Sequence, residues 1–208
     1  MADALMPRPL STWLVPDAAE RHDVLRHWAH MVLTQGLAHG QVDTTDDHTA
    51  VTVWYLRREP PPLAAVWMYD LHRLLGPHAP RFALLHAYLD AVLPHPPHHY
   101  LAHVAARPEH GAAERALLVN HHRRLEAEGL PAYTEISSCR PRGSVFADLG
   151  YEPRSPIRLQ PGGPVLWRMW RPPLGRRPPG GLPRRVRLHR TATSLRPQII
   201  RAAPPRSP

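Results

Sequence analysis

The chain contains no lysine, one cysteine and two phenylalanines in 208 residues. A lone Cys139 excludes a disulfide framework and a Cys-rich zinc motif. No apolar run approaches the roughly 18 residues that a membrane-spanning helix needs. Met1–Pro7 also lacks the basic and apolar regions of a secretory leader. A cytoplasmic protein with no membrane partner is the expectation. Acid is missing from one stretch: residues 171–208 carry ten arginines and no Asp or Glu. Residues 1–170 hold 16 basic and 17 acidic groups, so the body is near neutral at −1 and the formal +9 belongs to the tail. All-arginine basicity beside 27 prolines points to a GC-rich genome more than to a selected basic surface. Nucleic acid is therefore not an expected partner, except through the tail.

What is present reads as one mixed α/β domain. Asp17 can cap a helix, with Glu20 three residues on as in a capping box, and Gly40 can end it. Val24, Leu25, Trp28, Met31 and Val32 recur at helical spacing between them. Gln41–Thr45 and Thr49–Tyr55 flank the polar turn Asp46-Asp47-His48, which predicts a β-hairpin. Two helices over 63–75 and 80–93 follow a proline-rich loop at 57–62. The segment 95–99 reads as a loop and 100–106 as a strand. A helix over 113–128 ends at Gly129. Strand 131–137, a short helix over 143–149 and strand 164–171 complete the order, with a crossover from strand 100–106 through the helix to strand 131–137. Residues 1–12 read as irregular and 172–208 as a disordered Arg/Pro-rich tail.

The informative stretch runs from Tyr100 to Tyr151. A strand ends at Ala106, the loop Arg107-Pro-Glu-His-Gly-Ala112 follows, and a helix starts at once. A helix N-terminus behind a Gly-containing loop presents backbone amides and a positive dipole end, which suit a phosphate or pyrophosphate. Downstream lie Leu117-Leu118, the run Glu128 to Ser138, and Val145-Phe-Ala-Asp-Leu-Gly-Tyr-Glu152.

In that order and spacing these segments resemble the GCN5-related N-acetyltransferase (GNAT) superfamily, in particular its actinobacterial members, over about Trp13 to Arg171. The resemblance implies a mixed central sheet flanked by helices. It also implies transfer of acetyl from acetyl-CoA to the primary amine of a small molecule or protein. The backbone of Val104, Ala105 and Ala106 would pair with the pantetheine arm, and the amides of Gly111, Ala112 and Ala113 would hold the pyrophosphate. Glu135 is the candidate base that strips the ammonium proton.

Three departures accompany the resemblance. The phosphate loop is about two residues short, retains only Gly111 of the usual glycines, and is followed by Glu114, with Arg115 a candidate to offset that charge. Phe146 stands where many members carry a tyrosine general acid. The first strand and helix are missing, which would leave a sheet edge unpaired and favour association, such as a homodimer. These departures equally fit a degenerate, catalytically weak or inactive relative, a truncated gene product or binding protein. Seven histidines crowd residues 95–122. His99 and His103 are placed to share one strand face, but no carboxylate completes a tetrahedral set, so no metal is expected and solvated histidines are the reading. Cys139 has no base fixed beside it. Trp54, Tyr55, Trp67, Tyr69, Trp167 and Trp170 read as core or as the wall of an acceptor pocket.

Overall fold

The computed structural model describes residues 1–6, 8–59, 65–173 and 198–200. The expectation of a disordered tail therefore falls mostly outside the described residues. Two short helices, α1 (Ala2–Leu5) and α2 (Pro9–Leu14), lead into the long α3 (Ala18–His39). Residues 1–12 are thus not irregular. Pro9 occupies the first helical position, where its missing N–H costs nothing. The Asp17 carboxylate accepts the Ala19 amide at 2.8 Å and starts α3, while Gly40 ends it. Glu20 does not close a capping box; its carboxylate meets His78 at 2.9 Å.

The hairpin β1 (Gln41–Thr44) and β2 (Ala50–Arg57) follows as expected. Next come α4 (Ala65–Leu75), α5 (Ala79–Asp90), β3 (His98–Ala106) and α6 (Gly111–Glu128). Gly129 caps α6 in the left-handed region at φ 68°. The chain continues through β4 (Ala132–Ile136), α7 (Val145–Asp148), β5 (Glu152–Arg158) and β6 (Val165–Arg171), and Gln198–Ile200 forms β7. The seven strands lie in the order β5-β6-β4-β3-β2-β1-β7. The β3–β4 pair is parallel, joined by α6 as the expected crossover, and the other pairs are antiparallel. No strand precedes α3 among the described residues. The edge of β1 is nevertheless not left open, because β7 pairs along it from Val42 to Thr44.

Alternation along the strands separates two cores. On one face Val42, Val53 and Leu166 pack with Trp28, Met31 and Val32 of α3 and with Leu71, Phe82 and Leu85. On the other, Trp54, Leu101 and Met169 meet Leu118 and Leu125 of α6 and Phe146 of α7. Arg171 fastens the end of β6, donating to the Leu149 carbonyl at 3.0 Å and to Glu126 at 2.9 Å. Among the described residues no helix is long and apolar enough to cross a membrane.

α3 lies close on the hairpin because Gly36 has no side chain. A Cβ there would stand 2.7 Å from Val53 Cγ1 and 2.9 Å from Val42 Cγ2. Gly36→Ala is therefore expected to destabilise by about 1–3 kcal/mol through overpacking, despite alanine's better helix propensity. A urea unfolding midpoint at or above that of the parent would contradict this close packing.

Candidate active site

β3 and β4 stay together only over three residue pairs, His99–Ala132, Tyr100–Tyr133 and Leu101–Thr134. Two features part them. A bulge shifts the β2–β3 register between Val53 and Trp54, so that β3 takes one extra residue, Ala102. The Thr134 hydroxyl then donates to the Leu101 carbonyl at 2.9 Å, using the last acceptor of the ladder. Beyond this point β3 keeps its pairing with β2 through Ala106, and β4 keeps its pairing with β6. The edge of β3 that faces β4 is left unpaired over Ala102–Ala106.

A cavity of about 320 Å³ opens at the fork. Its walls include Ala102, His103 and Val104 from β3, Thr134–Ile136 from β4, Leu10, Ser11 and Leu14 from α2, Trp28 from α3, and Leu85, His86 and Leu89 from α5. Phe146, Glu114 and Arg8 complete much of the rest.

Glu135 is the chemically distinctive group of this cavity. The Tyr100 hydroxyl donates to its Oε2 at 2.9 Å, while Oε1 is buried with no hydrogen-bond partner. Burial pushes the Glu135 carboxyl up to about 7, against the opposing pull of hydrogen bonding from the neighbouring tyrosines and the charge of Arg168. Such a group changes protonation near neutrality. Burial and the Glu135 charge together hold the Tyr100 and Tyr133 phenols well above their ordinary value, so both stay protonated.

The same cavity contains two neutral histidines. Burial pushes His86 down to about 3 and His103 to about 4. His103 meets Trp28 edge-on at 5.0 Å. It does not share a face with His99, because the extra residue at the bulge reverses the alternation between them. His99 instead faces α6 and His121.

The expected phosphate-binding segment begins with a short 3-10 turn, Pro108–His110, which leads into Gly111. No side chain caps the N-terminus of α6. Arg115 does not offset Glu114: it lies 3.8 Å from Asp148. Glu114 lines the cavity instead, where burial raises its carboxyl and the charge of Arg8 opposes the rise. Phe146 is buried edge-on to Tyr151 at 5.5 Å.

On the opposite face of the sheet the expectation of solvated histidines fails. His99, His121 and His122 are buried there, and His98, on the Glu135 face of β3, is buried against Tyr133. Gln41 donates to both oxygens of Asp43 at 2.8 Å, and His121 Nδ1 lies 3.5 Å from Asp43 Oδ2. His121 Nε2 is 3.2 Å from His99 Nδ1, and His99 Nε2 reaches Glu128 at 3.0 Å. His122 Nε2 is 3.0 Å from the Tyr151 hydroxyl. No group of His, Cys, Asp and Glu among the described residues is arranged to hold a metal ion. Cys139 is exposed, and so is Tyr69, which does not line this cavity.

Tyr100, His86, Arg8 and the lining from α2 were not singled out from sequence as site residues. In the parallel register Tyr100 sits opposite Tyr133, two residues from Glu135 and so on the same face.

No family model matches the chain, and no curated protein matches it. Among solved structures it is similar to a histone acetyltransferase HPA2-related acetyltransferase from Corynebacterium glutamicum. The two are 23% identical with a TM-score of 0.56, over 83% of this chain and 88% of that one. Arylalkylamine N-acetyltransferase 2 from Aedes aegypti is 10% identical, covering 79% and 86% at a TM-score of 0.48. An agmatine N-acetyltransferase is 14% identical, covering 81% and 91% at 0.47. The likeness to the Corynebacterium glutamicum protein is one of fold.

Proposed function

We propose that this chain, whose fold is that of the GCN5-related N-acetyltransferases, moves an acetyl group from acetyl-CoA to a primary amine. The observation that carries the reading is Glu135: a carboxyl held near neutrality, with a buried, unpartnered oxygen, where two strands of the sheet part. An acid with that set point accepts a proton from an ammonium ion without being permanently charged in an apolar cavity.

The chain's own groups fit acetyl-CoA. The unpaired edge of β3 offers the backbone of Val104, Ala105 and Ala106 to the amides of the pantetheine arm. The α6 N-terminus offers Gly111, Ala112 and Ala113 to the pyrophosphate, with the helix dipole in support. Glu114 lines the cavity, where the charge of Arg8 acts against its own.

In this reading the acceptor loses a proton to Glu135, and its nitrogen attacks the thioester carbonyl. The C–S bond breaks, and the amide and the CoA thiolate form. The nitrogen gives up its second proton as the tetrahedral adduct collapses; Phe146 has no proton to give, so water relays that proton to the thiolate. Tyr100 positions Glu135 by holding Oε2. Holding both substrates together in the fork supplies most of the acceleration. A cytoplasmic location goes with this chemistry.

Calorimetry of the full chain with acetyl-CoA is the first test, followed by thiol release on adding amines. Micromolar binding and amine-dependent release are expected. No binding at millimolar ligand overturns the proposal and leaves the alternative of an inactive relative.

A further inference from the structure

We infer that the acceptor is a compact primary monoamine with an alkyl or aryl body, rather than a polyamine or a peptide. The inference rests on the acetyl-transfer reading and narrows it to a substrate class. The cavity, about 320 Å³, is at the low end of the range for small-molecule sites (about 300–1,000 Å³), and it must also admit the thioester. Its body is apolar: Leu10, Leu14, Trp28, Leu85, Leu89 and Leu166 provide the walls. Burying an alkyl or aryl group against them is favourable at about 25 cal/mol per Å².

Among the polar lining groups, the Thr134 hydroxyl donates to Leu101, the Ser144 hydroxyl donates to Pro141, and Ser138 Oγ accepts from the Arg140 amide. Glu135 alone presents a buried oxygen without a partner, which matches one amine nitrogen. The second carboxylate of the cavity, Glu114, already feels the charge of Arg8, which lines the same cavity and competes with a second ammonium for it. His86 and His103 are held uncharged by burial and offer no anion to a cation and no cation to a carboxylate. A dication would lose hydration at its second charge, with only a carboxylate already shared with Arg8 to offset the loss. An amino acid or peptide would bring polar backbone groups against leucine and tryptophan. α2 walls one side of the cavity through Leu10, Ser11 and Leu14.

The test uses the full chain, acetyl-CoA, and four amines: phenethylamine, isoamylamine, spermidine and a hexapeptide with a free N-terminus. Thiol release and product mass give kcat/KM for each. The two monoamines are expected to exceed spermidine and the peptide at least tenfold. Leu89→Glu, which places a carboxylate in the half-exposed part of the wall, is expected to raise KM for phenethylamine about tenfold and to narrow the gap to spermidine. A preference for spermidine or peptide, or acetyl-CoA binding with no turnover of either monoamine, overturns the inference. Failure of acetyl-CoA to bind instead overturns the acetyl-transfer reading beneath it, so the two failures are told apart.

Discussion

Glu135→Gln is expected to lose amine acetylation by about 10²- to 10⁴-fold and, at pH 8, to fold more stably than the parent. Glutamine keeps the shape and can still accept the Tyr100 hydrogen bond, so the loss isolates proton transfer. The gain in stability has a separate origin. The Glu135 carboxyl rises from an ordinary 4.5 to about 7 in the folded protein. A raised carboxyl contributes stability below its unfolded value, and that contribution disappears as pH climbs through the folded value. Above pH 7 the folded protein therefore carries a buried charge that glutamine removes. A shift of this size corresponds to about 3 kcal/mol as an upper bound. The advantage of the variant should shrink on acidification and vanish below about pH 4.5. Urea titrations of both proteins at pH 8, 6 and 4 would read this directly. Parallel curves at all three values would mean that Glu135 is not held near neutrality, and the assignment of the base would go with it. The parent's activity should rise with pH to a plateau above about 7.

Acid sensitivity is the second large effect. Burial holds His122 down to about 3, with the charge of Arg171 adding to it, and holds His86 and His103 to about 3 and 4. Each is neutral when folded and takes up a proton near pH 6.5 when unfolded, so the unfolded chain binds more protons in acid. Stability must then fall as pH drops from about 6.5, and it continues to fall until the folded values are reached. Between pH 7 and 5 Glu135 works in the opposite sense and masks part of the loss. Below pH 5 that compensation is exhausted, and a slope of about 2–4 kcal/mol per pH unit is expected from the three histidines. His122→Phe should reduce the slope by about 1.4 kcal/mol per pH unit. It should do so whatever it costs overall by leaving the Tyr151 hydroxyl unpaired. A flat stability profile down to pH 4 would contradict the buried placement of these side chains.

The elements with local punctuation were legible from sequence. Asp17 and Gly40 bracket α3, Gly129 ends α6, and the carboxylate at 135 falls on a strand beside the fork. What stayed hidden depended on pairing at a distance. Pro153 and Pro156 argue against a strand over 152–158. β5 tolerates both because it is an edge strand whose register slips between them. The bulge opposite Val53 and Trp54 reverses which face His103 takes, and no spacing rule within β3 alone could announce it. Tyr100 became part of the site only through the parallel register with β4. The histidines were misread as solvated because their partners, Asp43, Glu128 and Tyr151, lie far away in sequence.

The strand β7 has a consequence for the order of events in synthesis. It borders β1, which emerges among the first elements of the chain, yet it follows every other strand. While the ribosome is still adding the later residues, β1 has β2 on one side and nothing on the other. For that interval the nascent sheet presents a bare row of amides and carbonyls to whatever is nearby, including a second nascent chain on the same message. Synthesis is thus an interval in which the molecule is open to mispairing along β1.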